Sequence, residues 1–93
     1  MYQIQEYTYK RARELGVEVK PSRLKNKKID VIKNGKRICS IGDINYNDYY
    51  SYLRKFGESV ARDKRRLYLA RHSNNATIKG SCGYYSAQLL WNA

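Results

Sequence analysis

The sequence is poor in the residues from which metal sites and catalytic centres are usually built. It has a single His and only two Cys. The spacing of Cys39 and Cys82 fits no zinc pattern, and one His cannot complete one. No metal and no cofactor are therefore expected. No apolar run approaches the ~18–20 residues of a membrane span. No helical stretch combines a basic face with a large apolar one, so a membrane partner is not expected either. Spacing alone leaves a disulfide open. Without a recognisable secretory signal, the expectation is two reduced, structural cysteines. Acidic residues are scarce as well: eight Asp and Glu stand against nineteen Lys and Arg, for a net charge of +11.

The chain does have charge and tyrosine. Its 93 residues suit one domain, residues 1–93. A chain of that size buries only ~60–65% of the surface its unfolded form exposes. A surface this basic attracts phosphate and other anions. Ten Tyr against one Phe and one Trp supply apolar area that ends in a hydrogen-bonding group, which suits interfaces and half-buried positions.

Residues 3–15 are mostly good helix formers, and Gly16 stands where a C-terminal cap belongs. Ile4, Tyr7 and Leu15 share a face that Arg11 interrupts. Val17-Glu18-Val19 alternates as a short strand that Pro21 closes. The strongest local signal is KKIDVIKNGKRICSIG, residues 27–42. Asn34-Gly35 is the favoured central pair of a two-residue type I′ hairpin, because both positions need positive φ. This register pairs Lys33 with Lys36, Ile32 with Arg37 and Val31 with Ile38, placing Ile29, Val31 and Ile38 on the core face. Asn47 or Asp48 then caps a helix that runs to Phe56 and stops or bends at Gly57. A second helix covers about 58–72, with Phe56, Val60, Leu67 and Ala70 at core spacing. Residues 73–82 form a polar loop. A terminal helix from Gly83 carries a stripe of Tyr84, Ala87, Leu90 and Trp91. The expected fold is α+β: an N-terminal helix, a small antiparallel sheet built on the β-hairpin, then two to three helices packed on one face.

Enzymatic readings meet a thin inventory. A ββα metal nuclease needs a base His with further ligands, and His72 stands alone. The hairpin and following helix bear a superficial likeness to GIY-YIG nucleases. Ile29-Asp30-Val31 and Cys39-Ser40 occupy the places of that family's tyrosine motifs, leaving only Arg54 and Glu58 to fill catalytic roles. No Ser–His–Asp order, convincing Cys–His pair or phosphate-cradling Gly loop is present. The expectation is a protein that is not an enzyme; a small nuclease is the remotest alternative.

Four segments carry a family resemblance: KIDVIKNGKRICSIGD, YNDYYSYL, RRLYLARH and GYYSAQLLW, spread over residues 27–92. The spacing of Arg65, Tyr68, Arg71 and His72, followed by Gly83-Tyr84 and Leu89-Leu90-Trp91, is its most specific part. The chain resembles a group of small basic proteins of unknown function encoded by large double-stranded DNA viruses of algae and amoebae. A Pro frequent in that group is replaced here by Tyr50. The resemblance implies a viral source, with a place in the virion or in the host cytoplasm or nucleus during infection. It transfers no activity to any residue.

Two functions follow as expectations. In the first, the protein binds nucleic acid, duplex or single-stranded DNA, largely without sequence specificity. Lys25, Lys27, Lys28, Lys33, Lys36 and Arg37 around the hairpin would contact phosphates, with Arg62, Lys64, Arg65, Arg66 and Arg71 as a second strip on the long helix. Tyr46, Tyr49 and Tyr50 are candidates for stacking on bases. In the second, the protein is a minor capsid or cement protein whose partners are acidic virion proteins. Tyr68, His72 and Trp91 are read as a structural cluster, in which Tyr68 and His72 hold the terminal helix and the Arg65 guanidinium stacks on a ring.

Overall fold

The computed structural model describes residues 2–92. The fold is α+β: an N-terminal helix, a three-stranded antiparallel sheet and several helices after it. The chain divides into two compact units, Met1–Tyr46 and Asn47–Ala93.

In the first unit, α1 spans Glu6–Leu15 and ends in a Schellman motif. Gly16 takes φ 75°, its N–H donates to the Arg13 carbonyl, and the Val17 N–H donates to the Ala12 carbonyl. The helix starts three residues later than the sequence suggests. Its buried positions are Thr8 and Ala12, with Ile4 buried just ahead of the helix, whereas Tyr7 and Leu15 are half-buried. Residues four apart form one ridge, and the small side chains at 8 and 12 allow close approach to β1, against which α1 packs.

Strands β1 (Glu18–Pro21), β2 (Lys27–Lys33) and β3 (Lys36–Asp43) lie in the order β1-β2-β3. Asn34 (φ 53°) and Gly35 (φ 78°) both occupy the left-handed region, as a type I′ turn demands. Lys33 pairs with Lys36 and Ile32 with Arg37, as the sequence suggests. The next pair corrects it. A β-bulge inserts Ile38 as an extra residue, and Val31 faces Cys39 instead. Ile38 is thereby exposed (41%), while Cys39 and Ile41 turn to the core. The apolar face carries two cross-strand rows, Val19-Val31-Cys39 and Pro21-Ile29-Ile41. Ile29 and Val31 are fully buried. Each such side chain contributes roughly 1.5–3 kcal/mol through removal from water.

In the second unit, α2 spans Tyr49–Phe56 and α3 spans Glu58–Arg71. A single turn, α4 (Ser73–Ala76), occupies part of the expected loop, and α5 covers Cys82–Leu90. Of the two candidate caps it is Asp48, itself buried, that closes α2, accepting from the Ser51 N–H at 3.0 Å and from the Ser51 hydroxyl at 3.1 Å. Gly57 (φ 90°, ψ 175°) breaks α2 from α3 in a conformation open essentially only to glycine. The Ser81 hydroxyl accepts from the Tyr84 N–H and donates to the Asn75 carbonyl, joining the start of α5 to α4.

The expected core face of α3 is corrected. Phe56 and Leu67 are 59% and 47% exposed and Ala70 is exposed, whereas Val60 is half-buried. Ala61 is fully buried, and half-buried Arg65, Tyr68 and His72 share its face, packed by ring contacts. Aromatic rings and an Arg stem supply the packing area there. In α5, Ala87, Leu90 and Trp91 are buried as expected and Tyr84 is half-buried, but Tyr85 and Leu89 are buried too.

Both cysteines are corrected as well. Cys39 and Cys82 are disulfide-bonded, and neither is a free thiol.

Two outcomes test this description. A thiol-reactive dye should label the natively folded protein at no cysteine, and at both after unfolding with reductant; labelling without reductant would contradict it. Gly83 lies in the first turn of α5, where an added Cβ would stand 2.5 Å from the Asn75 Cβ and 3.1 Å from its carbonyl carbon. Gly83→Ala should therefore lower stability by ~1–3 kcal/mol, because helix must move off backbone. An unhindered helical glycine would instead gain up to ~1 kcal/mol from the same change. The sign of the melting-temperature shift decides.

Candidate nucleic-acid interface

Basic residues are spread across both units. Eleven of the nineteen Lys and Arg and five of the eight acids fall in the first unit, giving +6; the remaining eight and three give +5 in the second.

The basic residues of the hairpin region, adjacent in sequence, are separated by the fold. Lys33, Lys36 and Arg37 are exposed at the Asn34-Gly35 tip, and Lys33 sits directly across from Lys36. Arg23, Lys25 and Lys27 are exposed at the opposite end of β2. Seven residues of strand hold the two groups about 20 Å apart. Among the described residues, none of these six side chains is in an ion pair. Asp43 stands across the sheet from Lys27 and the charge of Arg37 acts on Asp30, yet the cations outnumber these carboxylates and keep the local potential positive.

Lys28 does not belong with them. It is 4% exposed, with its ammonium 5.2 Å from the centre of the Tyr2 ring, and so is withdrawn from any phosphate. Near it lies a polar group formed by Asp30 with Ser40 and Ser22. The Ser40 hydroxyl donates to the Asp30 carboxylate at 2.6 Å. Burial works to raise the Asp30 carboxyl. Hydrogen bonds from Ser40 and Ser22, with the charge of Arg37, outweigh it and hold the group below its ordinary 3.8.

The expected strip on α3 breaks up in a different way. At 100° per residue, Arg62 and Arg66 lie on one flank of the helix and Lys64 and Arg71 on the opposite flank. Arg62 pairs with Glu58 at 2.5 Å and Arg66 approaches Asp63 at 4.0 Å. All four of these side chains are well exposed, so the pairs add little stability, yet they offset local charge. Arg65 points inward. Its guanidinium lies 4.8 Å from the Tyr49 ring centre and donates to the Asn92 carbonyl at 3.2 Å. Arg65 is thus a packing residue and is corrected as a phosphate contact.

The aromatic candidates also separate. Tyr46 is 72% exposed. Tyr49 is buried under Arg65, and Tyr50 is half-buried with its ring edge-on to Tyr49 at 5.2 Å. Burial removes Tyr49 as a stacking platform. Tyr68, His72 and Trp91 come together: Tyr68 stacks on Trp91 at 4.5 Å and 12°, and the His72 ring lies 4.5 Å from Tyr68 on its other contact. The row continues from Trp91 to Tyr52 and Phe56 at 6.1 and 6.2 Å. The Tyr68 hydroxyl donates to the Ser86 hydroxyl at 2.9 Å, so its polar end is satisfied.

Leu24 and Ile44, 45% and 44% exposed, lie on the two loops beside Arg23, Lys25 and Lys27. No periodicity marks them, because each sits in a turn. Among the described residues, no group of three or more His, Cys, Asp or Glu is placed to hold a metal ion. No helix among them is long and apolar enough to cross a membrane. No protein-family model, curated protein or solved structure matches the chain.

Two substitutions test the roles assigned here. Arg65→Lys keeps the charge but loses the planar stack, and should cost about 1 kcal/mol in urea unfolding while leaving polyanion binding unchanged. Asp30 has a lowered folded-state pKa, so its ionised form stabilises the fold above about pH 4, and that contribution is lost as pH falls through the folded value. Asp30→Asn should be less stable than the parent at pH 6, and the gap should narrow as the pH falls below 3.8. A gap independent of pH would contradict the assignment.

Proposed function

We propose that this chain is a small basic protein that binds nucleic acid largely without sequence specificity, through phosphate contacts made by the hairpin unit. The observation that carries the reading is the pair of exposed cation groups, Lys33-Lys36-Arg37 and Arg23-Lys25-Lys27, none of them in an ion pair. Exposed cations in excess of nearby carboxylates, held at the two ends of the hairpin, attract a polyphosphate by releasing its counterions, which requires no base-reading residue. Arg71 and Lys64 are exposed on one flank of α3 and extend the positive surface of the second unit. The reading is of a binding protein and not of a catalyst. In line with the resemblance to small basic viral proteins, its setting would be viral DNA, in the particle or in the host cytoplasm or nucleus during infection.

A second reading, a minor capsid or cement protein, rests on separate observations. Phe56, Leu67 and Ile78 are 59%, 47% and 57% exposed, as residues awaiting a protein partner would be. The oxidised cysteines remove the support that two thiols would have lent to a reducing compartment, and disulfides persist on virion surfaces.

The test is charge reversal at the tip. Lys33→Glu, Lys36→Glu and Arg37→Glu together should weaken duplex binding at about 0.1 M salt by tenfold or more and lower the log–log salt slope by about 3. Unchanged binding by a folded triple variant would remove the hairpin tip from the interface.

A further inference from the structure

At the end of the hairpin away from the tip, two loops meet. The segment before β2 folds back on itself: the Leu24 N–H donates to the Ser22 hydroxyl at 3.1 Å and the Lys27 N–H to the Leu24 carbonyl at 3.2 Å. Asn26 takes φ 69° to make that turn. The segment after β3 is tied to it by the Ile44 N–H, which donates to the Asn26 carbonyl at 2.9 Å. A further turn then closes on Asp43, whose carboxylate accepts from the Asn45 N–H at 2.9 Å and whose carbonyl accepts from the Tyr46 N–H at 3.1 Å.

These hydrogen bonds fix two loops that expose an unusual mixture. Tyr46, Leu24 and Ile44 are 72%, 45% and 44% exposed, beside the exposed cations Arg23, Lys25 and Lys27. Asp43, which lies across from Lys27 and accepts from the turn, is the single acid against three cations in residues 22–27 and 43–46. A ring and two apolar side chains left in water among cations that outnumber the one nearby acid suit a ligand that carries both flat apolar faces and phosphates. Duplex nucleic acid presents phosphates but keeps its base faces stacked inside. A single strand presents both, and binding surfaces for single strands combine a basic track with an aromatic platform.

We infer that the loops carrying Leu24, Ile44 and Tyr46 form a single-strand capture site, in which Tyr46 stacks on an unpaired base while Arg23, Lys25 and Lys27 hold the flanking phosphates. This rests on the reading of the chain as a nucleic-acid binder and adds the class of nucleic acid and the residue that selects it. Tyr46 is held by its backbone turn and its ring is largely in solvent, so its removal should not disturb folding.

The experiment is fluorescence anisotropy of the full chain with labelled 20-mer oligothymidine, 20-mer oligouridine and a 20-base-pair duplex. Parent protein, Tyr46→Ala, Tyr46→Phe and the tip triple variant are compared. Tyr46→Ala should weaken binding to both single strands by roughly tenfold, the scale of one lost base–aromatic stack. It should change duplex binding less than twofold, and Tyr46→Phe should retain parental affinity. Equal loss on single strands and duplex, or no loss on either, overturns the capture site. The proposed function then still stands if parental binding is salt-dependent and the tip triple variant loses it. Absence of binding to all three probes overturns both.

Discussion

The two-residue turn at Asn34-Gly35 is the constraint on which the first unit depends. Its two positive φ angles leave Lys33 no partner but Lys36, a juxtaposition of like charges that the strands would otherwise avoid. Starting from that fixed pair, strict alternation would send Cys39 and Ile41 outward and bring Ile38 and Ser40 in. The bulge at Ile38 resolves the conflict. It returns two apolar side chains to the core for the loss of one, and keeps Arg37 and Ser40 on the other face. The charged tip and the hidden core are therefore consequences of one local geometry.

The second unit uses basic and aromatic residues for a different purpose. An Arg stem, two Tyr rings, a His and a Trp fill space that Leu and Phe fill elsewhere, while Leu67 and Phe56 remain outside. A guanidinium can do this because its planar face stacks on a ring while its edge still donates to a carbonyl. High positive charge is thus not synonymous with an anion-binding surface. Of the cations on α3, one is a packing element and two stand beside carboxylates.

Much of the architecture was legible because it rests on local chemistry. The Gly16 cap, the Asn34-Gly35 turn, the Asp48 cap and the break at Gly57 are each dictated by one or two residues whose backbone or side chain allows little else. The core face of α3 was only partly legible. The shared face of Arg65, Tyr68 and His72 and its docking with Trp91 follow from spacing, but hydropathy wrongly assigns Leu67 and Ala70 inward. The bulge was half legible: Ile38 and Ile41 are three residues apart and cannot share a face of a regular strand. For the interface, exposure of Lys33, Lys36 and Arg37 followed from the turn. The burial of Lys28, one place from the core residue Ile29, and the emergence of Leu24 and Ile44 depend on loop geometry that no sequence period encodes.

The central claim is that the exposed cations at the two ends of the hairpin engage phosphates. Binding of the unmodified protein to random-sequence duplex DNA between about 50 and 200 mM salt measures this most directly. Six contacts, each releasing ~0.9 counterion, predict a log–log slope near −5, with little change between sequences. A slope near zero, or binding confined to one sequence, would contradict the account.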